Sequence, residues 1–399
     1  MPLNRYQRKR SLAGVIAAMA VVNLVYGITF PLLALVLDAQ GVSKTLIGLS
    51  TMAQAAAVIV IAPWTPDLLR RIPPSRVMQG VTLLLAVLFI VAGLFPNVWF
   101  WFPLRFVIGA LTALLWISSE ALINDLAEER WRGRIIGLYS SIGAAGFALG
   151  PLLLILTGSA GMLPFIATSS LILCAGFPLF IVHHRQMTRH ERHQGGLWMV
   201  FWLAPAIMLA NVAYAAAAES LLTFFPIFGI SLGLSENFTL GLMTVMGFGT
   251  MILVMPLSWL ADHVDRMGML AVFVLLTVAG LLLMPWLVRE GWLAGLYAFV
   301  FGGVEGMIYT LGVILVGERF KGALLAAATT LFTACWGAGT VVGPLVVGLG
   351  MDWTGEENMA LIVAALFVLY LPLPLVGWYR SRKARSVLND PSQDRIDEH

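Results

Sequence analysis

Apolar runs of twenty residues or more recur along the whole chain, and they leave few folds open. VTLLLAVLFIVAGL is typical of them. A helix needs about 20 apolar residues to cross a bilayer. Twelve such runs can be counted, at residues 11–37, 44–65, 74–95, 98–124, 135–157, 161–182, 198–232, 239–261, 268–288, 291–316, 322–350 and 358–379. A transmembrane β-barrel would instead alternate polar and apolar residues over about ten positions, and these runs do not alternate. Helices also satisfy their own backbone hydrogen bonds in lipid. Only 11% of the residues are charged, against about 25% in a soluble domain. The chain therefore reads as an integral, all-α membrane protein with a lipid bilayer as its solvent.

Basic residues give the orientation, because cytosolic loops collect Lys and Arg. With the N-terminus inside, 21 of the 24 Lys and Arg fall in inner segments. Only Lys44 and Arg289 are outside, and Arg105 lies within a span. Both termini are thus expected in the cytosol. The positive net charge belongs to these loops, so no nucleic-acid partner is expected. The first run, 26 residues from Leu12 to Leu37, is too long for a signal-peptide core of roughly 7–15 residues and reads as an uncut span. Cys174 and Cys335 lie in apolar runs, which argues against a disulfide framework.

The sequence is written twice. ERWRG at 129–133 returns as ERFKG at 318–322, 189 residues later. Phe30-Pro31 corresponds to Phe225-Pro226, and Asp67/Arg71 to Asp262/Arg266, each 195 apart. Gly146-x-x-x-Gly150-Pro151 corresponds to Gly339-x-x-x-Gly343-Pro344, 193 apart. Residues 1–182 and 198–399 therefore read as two six-helix bundles of like orientation, related by a pseudo-two-fold axis along the membrane normal. Residues 183–197 form a cytosolic linker. Parallel repeats of this kind occur among secondary transporters.

On these motifs the whole chain resembles the major facilitator superfamily, and WISSEALINDLAEERWRGRIIGLY resembles a bacterial drug-efflux-like subgroup. The family's loop motif survives as Asp67/Arg71 and Asp262/Arg266, with Pro63 and Ser258 in place of its leading Gly. Its span-4 motif is met by Arg105 and Gly109, and its span-5 motif by Gly146, Gly150 and Pro151. The resemblance implies a latch on the inner gate at the loop pairs. It also implies a hinge and packing seam between the halves at Gly143, Gly146, Gly150, Pro151, Gly339, Gly343 and Pro344, of a kind associated with antiporters. It implies a bacterial inner-membrane location and work as a monomer.

Arg105, Gly109, Thr112, Trp116 and Glu120 fall on one face of span 4 by helical spacing. A charge at the membrane centre costs at least about 2.5–3.5 kcal/mol unless it meets water or a partner, so this stripe is expected to line a cavity. Glu219 aligns with Leu24 at mid-span, and Glu305 lies midway along span 10 in a stripe with Tyr297, Phe301 and Tyr309. Carboxyl groups in poorly hydrated cavities hold protons more tightly than in water, which suits proton coupling. Glu219 and Glu305 are the leading proton or cation sites, with Glu120 third. Asn23, Tyr26, Gln54, Thr112, Trp116, Asn211, Tyr214, Tyr309 and Trp336 join Arg105 as substrate-cavity candidates.

Other signals carry no enzyme chemistry. Gly229-Ile-Ser-Leu-Gly fits a hydrolase pattern but lies at the end of a span, not on a strand–turn–helix. His183, His184, His190 and His193 lack the Cys or carboxylate partners of a metal site. No Walker A stretch exists. No cofactor or metal is expected. The reading is a secondary transporter that moves a small organic solute by alternating access, with proton-coupled efflux as the leading mechanism. Three buried acids against one Arg favour a neutral or cationic solute. Uptake by symport or uniport remains open, as does another class of function, a lipid flippase or a non-transporting membrane sensor.

Overall fold

The fold was obtained as a computed structural model that describes residues 5–126, 132–181 and 197–379. Among these residues there is no strand. A first set of helices comprises α1 (Arg5–Ala39), α2 (Lys44–Ile61), α3 (Thr65–Arg71), α4 (Pro74–Leu94), α5 (Val98–Leu126), α6 (Arg132–Thr157) and α7 (Leu163–Gly176), which continues into a 3-10 turn at Phe177–Ile181. A second set comprises α8 (Leu197–Leu203), α9 (Pro205–Ser231), α10 (Glu236–Ala261), α11 (Arg266–Leu287), α12 (Trp292–Arg319), α13 (Gly322–Thr354) and α14 (Met359–Tyr370). Eleven helices among the described residues are long and apolar enough to cross a membrane. The expected fifth span is represented by a shorter apolar stretch of α6, Ala145–Thr157. Nearly all of the expected linker, the tail beyond 379 and residues 129–131 of the first pentapeptide lie outside the described residues.

The expected 35-residue seventh span is corrected by the structure. The chain breaks at Ala204, and Pro205 begins a new helix. Proline has no N–H to lose at the first turn and clashes with a preceding helical residue, so a helix starts there more readily than it continues. The 27 residues of α9 rise about 40 Å, which is already enough to cross a bilayer.

A further repeat marks the helix starts. Gly41 and Gly233 have φ of 71° and 83°, a left-handed turn that glycine adopts without strain. Two residues later, Ser43 and Ser235 accept from the backbone N–H of Leu46 and Phe238, both at 3.3 Å, and so cap α2 and α10.

Packing follows the same duplication. In the first set α1 packs on α6 and α2 on α5; in the second, α9 packs on α13 and α10 on α12. The sets meet through α2 against α13, α6 against α10 and α1 against α9. These contacts exchange correctly under the repeat, with α2 standing for α10 and α13 for α6. The α1 and α9 spans are the most buried, at 78% each, so they form the centre. On the periphery α4 exposes Leu83, Leu84 and Val87, and its repeat α11 exposes Val272, Leu275 and Leu276. An exterior this apolar is suited to lipid.

Candidate functional site

Most of the candidate side chains gather where α1, α2, α5, α9, α12 and α13 come together. Arg105 is fully buried on α5. Its Nη1 donates to Ser50 Oγ at 2.8 Å, its Nε donates to Gln54 Oε1 at 3.4 Å, and its guanidinium carbon lies 5.8 Å from the centre of the Phe30 ring. The ring faces the cation and contributes a favourable quadrupole contact. Its Nη2 has no hydrogen-bond partner.

Across the junction, Glu219 on α9 interacts electrostatically with Arg105, but no ion pair joins them. Glu219 Oε2 and Glu305 Oε1 are buried without a hydrogen-bond partner. Asn211 is fully buried; its Nδ2 donates to the Phe332 carbonyl at 2.6 Å, and its Oδ1 is free. Gln54 likewise keeps a free Nε2. An unpaired buried polar atom costs about 1–3 kcal/mol, more if charged. Five such atoms lie on the helices that meet here.

A layer of rings lies beside these groups. Trp116 of α5 meets Trp336 of α13 edge-on, 6.2 Å between centres. Trp336 contacts Tyr309 at 5.6 Å and Tyr214 at 6.4 Å, and the two tyrosines lie 5.6 Å apart. Tyr214 feels the charges of both Glu305 and Glu219. Tyr26 stacks on Phe30 at 5.6 Å and hydrogen-bonds Thr112. Trp116 Nε1 also donates to Glu120 Oε1 at 2.6 Å, and Glu120 is exposed. The three candidate acids thus divide into two buried carboxyls and one exposed.

Several expectations need correction. Asn23 is not in this cluster. Its Nδ2 donates to Met19 O at 3.0 Å, and the side chain faces Gly143 on α6. Gly109 does not line a cavity either; a Cβ there would overlap the Gln54 carbonyl, so α5 and α2 approach backbone to backbone. The glycine stripe lies inside the first set, where Gly146 and Gly150 pack on Ala20 and Gly27 of α1. Gly339 and Gly343 similarly pack on Val212 and Ala216 of α9. Of these positions, Pro344 does lie where the sets meet, its carbonyl against Gly48. The internal prolines Pro151 and Pro344 occupy corresponding helices. Tyr297 turns away from the site and donates to the Gly280 carbonyl at 2.9 Å on α11.

The loop pairs also differ from one another. Arg266 bridges Asp262 at 3.1 Å and Glu318 at 3.2 Å, as the spacing suggested for the first of these. Asp67 pairs with Arg70 at 3.3 Å, not with Arg71. In a helix this short, i,i+3 and i,i+4 partners are both within reach. Asp265, which the sequence reading passed over, caps α11 through the Gly268 N–H at 2.8 Å. The Asp-x-x-Gly spacing ahead of an apolar run was its signal.

One cluster was missed altogether. Lys44 lies between Asp38 and Glu356, at 2.5 and 2.8 Å. Asp352 accepts from the N–H groups of Lys44 and Thr45 at 2.9 and 2.8 Å. These contacts tie α1, α2 and α13 at one end of the molecule. The α2–α13 seam runs from there through Gly48–Pro344 to Gly337, whose Cβ position lies 3.3 Å from Ile59. Beyond it, toward the start of α13, Thr333 and Thr330 are exposed, as is Val60 on α2. Lys44 was visible in the sequence as one of two outer-loop cations; its acidic partners are 6 and 312 residues away.

Comparison with known proteins agrees with this architecture. The profile described as Major Facilitator Superfamily matches residues 15–304 and 242–396. The uncharacterised MFS-type transporter YfkF of Bacillus subtilis (strain 168) is 24% identical over 341 residues, covering 84% of this chain and 86% of its own. The uncharacterised MFS-type transporter YcaD of Salmonella newport (strain SL254) is 22% identical over 330 residues, covering 82% and 85%. Among solved structures, the nucleoside transporter NupG (D323A mutant) superposes with a TM-score of 0.75 at 12% identity, over 92% of this chain and 99% of its own. A bacterial homologue of the human lysosomal transporter Spinster, in an inward-facing and unoccupied conformation, gives 0.70 at 14% identity, over 94% and 96%.

Proposed function

The chain belongs to the Major Facilitator Superfamily of membrane transporters, and on that premise we propose that it carries a small organic solute by alternating access, coupled to protons and directed outward. In this reading twelve spanning helices form two six-helix bundles, 1–182 and 198–399, with both termini in the cytosol of a bacterial cell. The bundles rock about the junction of α1, α5, α9 and α13, and a monomer suffices.

The observation that carries the proposal is the burial of Arg105 on one set and of Glu219 and Glu305 on the other, all three with unpartnered atoms, with Arg105 and Glu219 within reach of each other's charge. Groups that cost stability when left unsatisfied are suited to take up and release a solute or a proton. The tie at Lys44 and the exposure of Glu120, Thr330 and Thr333 at the opposite end support a conformer closed outside and open inside. In that conformer solute enters past Glu120 and the ring layer. Proton binding at Glu219 changes the charge that Arg105 faces, and so changes which conformer the site stabilises. A small difference suffices, because about 1.4 kcal/mol shifts a two-state ratio tenfold.

The test is flux in vesicles of known orientation, using a solute found by thermal stabilisation of the purified protein. Proton antiport drives the solute toward the acidic side and reverses with the gradient. Accumulation on the alkaline side would mean symport. Flux indifferent to the gradient would mean uniport. No flux of any stabilising solute would reject transport.

A further inference from the structure

The unpartnered atoms of the site are sorted by chemistry. On the first set, Gln54 Nε2 and Arg105 Nη2 are free, and both are donors. On the second, Asn211 Oδ1, Glu219 Oε2 and Glu305 Oε1 are free, and all are acceptors when the carboxyls are ionised. The amide orientations follow from their fixed contacts. Gln54 must present its oxygen to Arg105 Nε, which only donates. Asn211 must present its nitrogen to the Phe332 carbonyl, which only accepts. The free end of each amide is therefore determined: a donor on Gln54, an acceptor on Asn211. All five residues are more than nine-tenths buried.

Buried polar atoms in native structures are nearly always satisfied. Here the donors stand on one set and the acceptors on the other, so one molecule with an acceptor end and a donor end would satisfy both. Beside these groups stand the half-buried rings of Trp116, Tyr214, Tyr309 and Trp336, which provide flat apolar faces for a planar framework. A purely cationic solute would leave Arg105 unsatisfied and repelled. A purely anionic one would do the same to the two carboxyls.

We propose that the site takes an amphoteric ring compound, with a carboxylate-type acceptor held by Arg105 and Gln54 and an amine-type donor held by Glu219, Glu305 and Asn211. This rests on the transport reading for its purpose, but its chemistry can be tested apart from flux. Bridging the two sets also gives such a solute a way to be sensed, because only a molecule engaging both ends draws them together.

The experiment uses four indole probes on the purified full chain: indole, tryptamine, indole-3-acetate and tryptophan. They carry neither end, the amine, the carboxylate, and both. Thermal shift and calorimetric titration should rank tryptophan first, about tenfold or more tighter than either single-ended probe. Arg105→Gln should lower tryptophan to the level of tryptamine. Glu219→Gln should lower it to that of indole-3-acetate. A single-ended probe that binds as well as tryptophan overturns the inference, and so does binding by none of the four. The ranking on the unaltered chain decides this even if a variant fails to fold. Counterflow of the same probes in vesicles separates the two claims. The predicted ranking without flux rejects transport and keeps the site, whereas flux of a single-ended probe keeps transport and rejects this site chemistry.

Discussion

Arg105 on α5 and Glu219 on α9 are buried in opposite sets of helices, within reach of each other's charge, and yet do not join in an ion pair. Arg105 instead spends two of its donors on Ser50 and Gln54 within its own set. A charge pair held apart in a poorly hydrated junction is open to a third party, and that gives the account its first prediction. Glu219→Gln and Glu305→Gln each lose accumulation driven by a pH gradient, by tenfold or more in vesicle flux, while exchange persists at saturating solute. Full gradient response in both variants would remove them from coupling.

The helix seams set a second expectation. Gly150 touches the backbone of Gly27, and Gly343 that of Ala216. A larger side chain at either must push the helices apart. Overpacking of this kind costs about 1–3 kcal/mol or more. Gly150→Leu and Gly343→Leu should therefore each lower the unfolding temperature in detergent by several degrees. The same change at Gly80, which has open space around it, should not.

A third concerns the ring layer. Trp116 joins the two sets through Trp336 and holds Glu120 through its indole N–H. Trp116→Phe keeps a ring but removes the donor, and Trp116→Ala removes both. Such aromatic pairs contribute about 0.5–1.5 kcal/mol beyond their area. Binding of a stabilising solute should weaken about threefold or less for Phe and tenfold or more for Ala, measured by titration. Equal loss in both would assign the effect to the Glu120 hydrogen bond rather than to stacking.

Much of this was legible in the residues. Apolar run length gives the helices, and the repeat gives their correspondence, since α1–α6 and α9–α13 are the same contact written twice. Helical spacing also brought Trp116, Tyr214, Tyr309 and Trp336 forward. It misplaced Asn23 and Gly109, because spacing tells which residues share a face and not which neighbour that face meets. Asn23 meets α6 and Gly109 meets α2. The contact of Lys44 with Glu356 was illegible because loop chemistry has no period and its partners come from both ends of the chain.

That contact gives a fourth prediction. Lys44 is half-buried between two carboxylates, and Asp352 caps the start of α2. Exposed ion pairs contribute about 0.2–1 kcal/mol, and a cap about 1 kcal/mol. Asp352→Asn should loosen this end and shift the conformer ratio about fivefold, read as a longer spin-label distance between α2 and α13 at the Lys44 end. An unchanged distance would deny it a gating role.

The central claim is that the two ends open in alternation. Replace Cys174 and Cys335 by Ala, introduce Thr45→Cys or Thr330→Cys singly, and measure labelling by maleimide with and without Asp352→Asn. The account predicts reciprocity: loosening the Lys44 end raises labelling at position 45 and lowers it at position 330. Labelling that rises at both positions, or changes at neither, would contradict it.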